Sequence, residues 1–203
     1  MKMILLCLII TGSFSSFASM DLIGLSGQLE YSNYSEVESL SSDERWAVLA
    51  YGFTDETDYE DINGYLRHGD NYEFYNQTKE SVTKLIKDIQ SVANKLPEIA
   101  KGLVVFRGFK LKWRNDKCFI KGEEITDKAF ISTTLNKKIA EHFAFKKGSG
   151  KGAFLTLKLR VSQRGILITE NNEDEILLMP NRTIKITNSR EVDGKCFAEG
   201  ELK

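Results

Sequence analysis

Two carboxylates stand two residues apart in Glu173-Asp174-Glu175, just ahead of the apolar run Ile176-Leu177-Leu178. In an extended strand such neighbours share a face, about 7 Å apart at ~3.3 Å rise per residue. Holding both ionised in a dry site is costly; the plainer reading is a solvated acidic turn. An acid–nucleophile pair for glycoside cleavage is disfavoured, because those carboxyls flank the bond from opposite sides. Arg107 lies inside the apolar run Leu103-Val104-Val105-Phe106-Arg107-Gly108. A guanidinium there needs a partner, and its planar fork suits a phosphate or a carboxylate. Gly108 would let a ligand approach the backbone. An internal salt bridge or an edge-strand arginine is the competing reading. Ser132-Thr133-Thr134 places consecutive hydroxyls on a short strand, where they can orient a carboxylate or a sugar. Threonine is also simply a good strand former.

Helices come first in the pattern that must position these groups. From Ser42, with Asp43 as a possible cap, Trp46, Leu49 and Phe53 recur at helical spacing. A second short helix is expected over Asp58 to Arg67, with Tyr59, Ile62 and Leu66 on one face. A third runs from about Lys79 to Leu96 on the stripe Val82, Leu85, Ile86, Ile89, Val92 and Leu96, and Pro97 stops it. After Pro97 the period shortens towards two. Strands are expected over Gly102 to Phe109, Phe130 to Thr134, Ala153 to Val161, Ile166 to Ile168, Glu175 to Met179, Thr183 to Thr187 and Lys195 to Ala198. A short helix over Asn136 to Phe145 carries Ile139 and Phe143 four apart, a spacing that favours a core role for Phe143. Helices followed by strands is an α+β order, not an alternating one.

The 203 residues carry 28 basic and 29 acidic side chains, a formal charge of −1. That excludes a bulk electrostatic nucleic-acid binder, which would be clearly basic. Two histidines and three cysteines give no ligand set for a metal, and His68 and His142 read as structural or solvent-facing. Lys2, the apolar run Ile4 to Ile10 and the small residues Ser16 and Ala18 form a signal-peptide pattern over residues 1–18, too short to span a bilayer. The chain is therefore expected to be secreted, without stable membrane association after cleavage. Residues 19–41 are an irregular lead-in, and residues 42–203 a single domain. In an oxidising compartment Cys118 and Cys196 could pair or stay free.

Taken in order, four segments resemble the bacterial mono-ADP-ribosyltransferase toxins of the arginine–serine–glutamate class, over roughly residues 45 to 190. They are YEDINGYLRHG with Asn63 and Arg67, VVFRG with Arg107, KGEEITDKAFISTTLNKKIAEHFA with Ser132-Thr133-Thr134, and NEDEILLMPNRTIKI with the glutamate-x-glutamate pair Glu173 and Glu175. The resemblance implies two packed, roughly perpendicular, mainly antiparallel sheets around an NAD cleft. It implies NAD as co-substrate, no metal, and transfer of ADP-ribose to an arginine of a host protein with release of nicotinamide.

By the same resemblance Glu175 would stabilise the positive charge that develops on the ribose. Glu173 would orient and deprotonate the nucleophile. Arg107 would bind the phosphates, and Ser132 would hold Glu175. Gly108, Ser132, Thr133 and Thr134 complete the expected NAD-binding set. Two features depart from the family pattern: the third hydroxyl is Thr134, and the turn Thr169-Glu170-Asn171-Asn172 lacks the aromatic many members use on their protein substrate. Hydrolysis of NAD by water, or a non-enzymatic binding module with the same fold, are the alternative functions.

Overall fold

A computed structural model of the chain describes residues 39–53, 57–146, 150–168 and 174–203. The expected signal peptide, most of the lead-in, Gly148, Ser149, the turn 169–172 and Glu173 lie outside the described residues. The helical half contains α1 (Ser42–Phe53), α2 (Thr57–His68) and α3 (Lys79–Lys95). In α3 the whole expected stripe is buried, and Thr78 caps its start by accepting from Ser81 N at 3.2 Å.

The buried face of α1 differs from the expected one. Trp46 is 60% exposed and Leu49 36%, while Glu44, Ala47, Val48 and Tyr51 face inward. These four are also spaced i, i+3, i+4, i+7, but one is an acid and one an alanine, so hydrophobicity hides the stripe. Glu44 is tolerated because it is fully engaged. It accepts from Ser41 N (2.7 Å), Ser91 Oγ (2.6 Å) and Lys95 Nζ (2.8 Å), while its own N–H donates to Ser41 Oγ at 3.2 Å. This is a capping box closed by Ser41, not Asp43, and it ties α1 to α3.

The Lys95 and Ser91 hydrogen bonds hold the Glu44 carboxyl down to about 2. A depressed carboxyl stabilises the fold above its unfolded pKa of about 4.3, and that contribution is lost as pH falls from there through the folded value. Acid unfolding followed by circular dichroism should show a loss on the order of 3 kcal/mol across that window. In Glu44→Gln the pH dependence in that window should flatten, on a lower baseline.

The strands are β1 (Val104–Lys110), β2 (Glu124–Asp127), β3 (Ile131–Thr134), β4 (Gly152–Leu159), β5 (Gly165–Ile168), β6 (Glu175–Leu178), β7 (Arg182–Val192) and β8 (Lys195–Leu202), with α4 (Lys137–Phe145) between β3 and β4. β2 was not expected, β7 runs well past Thr187, and Val161 lies beyond the end of β4 and is exposed. The strand order is β2-β7-β8-β4-β1-β3-β6-β5, with β4–β8 parallel and the other pairs antiparallel. The five strands ending at β1 meet the three beginning at β3 through one registered pair, Phe106↔Thr134. Helices followed by mainly antiparallel strands is the expected α+β order; the strands of the two expected sheets are joined into one eight-stranded sheet by that pair.

Close packing of α4 depends on two glycines. A Cβ on Gly108 would lie 1.8 Å from Ala140 O, and one on Gly152 would lie 2.0 Å from Ala144 O. Ala140 and Ala144, one turn apart, are the buried residues of α4. The helix backbone therefore rests directly on β1 and β4. Asn136 caps α4, accepting from Lys138 N at 3.1 Å. Cys118 and Cys196 are disulfide-bonded, with Cα atoms 5.6 Å apart. The bond fixes the excursion between β1 and β2 to the start of β8.

Candidate active site

Where β1 and β3 separate beyond Phe106 and Thr134, a cleft of about 730 Å³ opens, lined by α1, α2, β1, β3, α4 and the start of β6. This is the size of an ordinary small-molecule site. Arg107, Gly108, Ser132, Thr133, Thr134 and Glu175 all line it. They come from three strands and from positions up to 68 residues apart in number, from Arg107 to Glu175.

Arg107 has the partner its surroundings demand. Its Nη2 lies 3.7 Å from Asp127 Oδ2, and its guanidinium sits 5.3 Å from the centre of the Phe109 ring. The arginine is held in an internal ion pair and also lines the cleft. Burial pushes its pKa below the ordinary value and the Asp127 carboxylate opposes this; a guanidinium stays charged regardless. Gly108 lines the cleft beside Arg107. Its missing side chain makes room for the α4 backbone.

The three hydroxyls divide their work. Thr133 Oγ1 donates to Ile176 O at 2.8 Å, pinning β3 to β6. Thr134 Oγ1 accepts from Asn136 N at 2.9 Å and shapes the start of α4. Ser132 lies on the cleft wall between them and Phe130. Glu175 opens β6, opposite Thr134 on one side and Ile168 on the other. Asp174, just before Glu175, has a left-handed φ of 45° and lies outside the strand. Glu173 itself lies outside the described residues.

Residues without an expected role complete the site. Buried Tyr51 accepts at its hydroxyl from Asn63 Nδ2 at 2.8 Å, and Asn63 Oδ1 accepts from Phe130 N at 3.2 Å. Burial, then the Glu175 charge, raise the Tyr51 pKa, so its hydroxyl stays protonated. Arg67 donates through Nε and Nη2 to the two oxygens of Asp127, both at 3.0 Å. Tyr59, Asn63 and Arg67 are spaced i, i+4, i+8, a polar stripe of α2 that sequence alone displays.

Asp61, on the buried side of α2, accepts from Tyr75 N (2.9 Å), Asn76 N (3.1 Å), Gln77 N (3.0 Å) and Tyr72 hydroxyl (3.2 Å). Burial would raise this carboxyl, but the backbone N–H groups hold it below its ordinary value. The result places Tyr72 and Tyr75 at the cleft rim. Phe143 is also placed differently from expectation. It is 37% exposed and lines the cleft with Ile139, while the alanines of α4 face the sheet. His68 lines the cleft beside Tyr72, with ring centroids 6.3 Å apart.

Comparison with known proteins gives the same direction. The family model of the ADP-ribosyltransferase exoenzymes matches residues 27–197. No curated protein sequence matches. Among solved structures, the Vis ADP-ribosyltransferase, a toxin of Vibrio splendidus, in complex with agmatine is 22% identical, covers 95% of this chain and 88% of that one, and has a TM-score of 0.67. The Clostridium limosum C3 exoenzyme is 18% identical, over 95% of this chain and 98% of that one, at a TM-score of 0.64. The ADP-ribosylating toxin BECa of C. perfringens, solved with NADH, is 24% identical at a TM-score of 0.66, over 90% of this chain and 48% of that one.

Proposed function

The chain belongs to the ADP-ribosyltransferase exoenzyme family, and from that membership we propose that its cleft takes NAD and transfers ADP-ribose to an arginine side chain of a host protein. The observation that carries this is the convergence of two arginines, Ser132 and Glu175 on one cavity. Arg107 and Arg67 supply the donors for a diphosphate. The rings of Tyr59 and Phe143 give planar surfaces for nicotinamide. Glu175 faces the C1′ of the ribose, where its negative charge stabilises the cation that forms as the bond to nicotinamide breaks and the leaving group takes the electron pair. Glu173 orients the incoming guanidinium and takes its proton as the new C1′–N bond forms. The complex of Vis with agmatine, itself a guanidine, supports arginine as the acceptor class. Residues 42–203 form the catalytic domain, and residues 1–18 direct its secretion as a toxin.

The test is NAD incubated with the mature chain and agmatine, with products separated by mass. ADP-ribosyl-agmatine plus nicotinamide is the expected result. Free ADP-ribose alone marks a glycohydrolase, and intact NAD removes the proposal. Arg107→Lys keeps the charge but loses the fork. It should weaken NAD binding about tenfold, roughly one charge-assisted hydrogen bond. A titration returning wild-type affinity would take Arg107 out of the site.

A further inference from the structure

We propose that Asp127 is a positioning residue for the diphosphate of the donor substrate, holding Arg67 and Arg107 as one anion-binding pair. This rests on the NAD reading above. Asp127 does not line the main cleft. It lines a second cavity of about 580 Å³, which shares Arg67, His68, Arg107 and Phe109 with the first. The two guanidiniums thus stand on the partition between the cavities, and the carboxylate reaches them from the far side.

The contacts are graded in a way that suits this role. Arg67 is held by two bonds of 3.0 Å from Nε and Nη2, which leaves Nη1 for a ligand. Arg107 Nη2, at 3.7 Å, is in a looser ion pair beyond hydrogen-bond distance. Two guanidiniums beside one cavity repel each other, and a carboxylate between them removes most of that cost. The group of three keeps a net positive charge, the sign a diphosphate needs.

Asp127 is itself fixed. It closes β2, opposite Arg182, and its Oδ1 also accepts from Ala129 N at 3.0 Å. Asn63, one turn before Arg67 on α2, accepts from Phe130 N. Residues 127–130 are thereby joined to α2 at two points, so the arginine pair and the strand carrying Ser132 are set by one unit. Burial would raise the Asp127 carboxyl, but the Arg67 hydrogen bonds and the Arg107 charge hold it below its ordinary value, ionised at neutral pH.

Asp127→Asn separates charge from shape, because the amide oxygen can still accept from Ala129 N. Two measurements are made on the mature chain: steady-state NAD cleavage, and calorimetric binding of ADP, a diphosphate without nicotinamide. The expected result is an NAD KM and an ADP Kd each raised about tenfold, the size of one charge-assisted hydrogen bond, with kcat within about twofold. In an Arg67→Gln background, adding Asp127→Asn should raise the ADP Kd by clearly less than about tenfold, because only the looser Arg107 pair is left to lose. Asp127→Glu should restore part of the affinity. Unchanged ADP affinity and KM in Asp127→Asn overturns the proposal, and so does a lowered Tm with KM unchanged, which marks a merely structural residue. A wild-type chain that neither cleaves NAD nor binds ADP overturns the NAD reading itself, a result distinct from either of these.

Discussion

Glu175→Gln should lower NAD cleavage by a factor of roughly 10²–10³ with ADP-ribosyl transfer falling in step, about 3–4 kcal/mol of lost transition-state stabilisation. The reason is positional. Glu175 is the first residue of β6 and lies between Thr134 and Ile168, with its side chain half-buried on the cleft. A carboxylate there carries its charge without having to reorganise, whereas the amide offers only a dipole to a developing cation. Glu173→Gln should behave differently. Its expected work is on the acceptor guanidinium, which is protonated at neutral pH, while water as acceptor needs far less help. Transfer should therefore fall while NAD hydrolysis persists. Glu175→Gln should keep a wild-type Tm, since it is an isosteric change at the half-buried first residue of β6. Nicotinamide release and agmatine adduct, measured separately in each variant, decide the assignment. Full NAD cleavage in Glu175→Gln, or full transfer in Glu173→Gln, would mean that the roles are wrong.

Gly108→Ala should be one of the most damaging single methyls among the described residues. The added carbon would meet Ala140 O at 1.8 Å and Ala144 N at 2.6 Å. Both are backbone atoms of α4 and cannot rotate aside, so the helix must move off β1. Overpacking of this kind costs about 1–3 kcal/mol or more, and Tm should fall about 2–4 °C for each kcal/mol in a chain of this size. Displacing α4 also moves Ile139, Ala140 and Phe143, which line the cleft. Activity should therefore fall at temperatures where the variant is still folded. Gly52→Ala is the control. It sits in α1, and among the described residues its new methyl would meet only Ile168 side-chain atoms, at 3.4 and 3.6 Å. That change should be neutral or slightly stabilising, because alanine favours helix more than glycine does. Equal Tm values for the two variants would show that α4 is not tightly seated on β1.

Much of this protein is written locally. The stripe of α3 is apolar at every inward position, so period alone places it. The clean alternation of β4 likewise shows its inward face, Ala153, Leu155, Leu157 and Leu159, all buried. Arg107, Ser132 and Glu175 are legible as candidate site residues because each stands in a family-like segment and in the right order, and all three line one cleft. Local pattern misled where the buried face is not apolar. In α1 the inward side includes Glu44, acceptable only because Ser41, Ser91 and Lys95 converge on it, and two of those partners lie on another helix. In α4 the sheet approaches so closely that only alanine fits inward, which turns Phe143 towards the cleft.

Residue types and order determined the α+β class, the helix and strand succession and the arginine, serine and glutamate set. Tertiary structure decided how that set is held. Asp127 ends a four-residue strand with little hydrophobic signal, and its meaning depends on Arg67, 60 positions away. Gly108 reads as room for a ligand, yet the atom that fills the space belongs to the backbone of α4. The physical reason is the same in both cases. Hydrophobic periodicity records which face of an element avoids water, and that is a property of neighbours along the chain. Ion pairs, hydrogen bonds and close steric fits act over a few ångströms between segments far apart in sequence, so they exist only once the fold has brought those segments together.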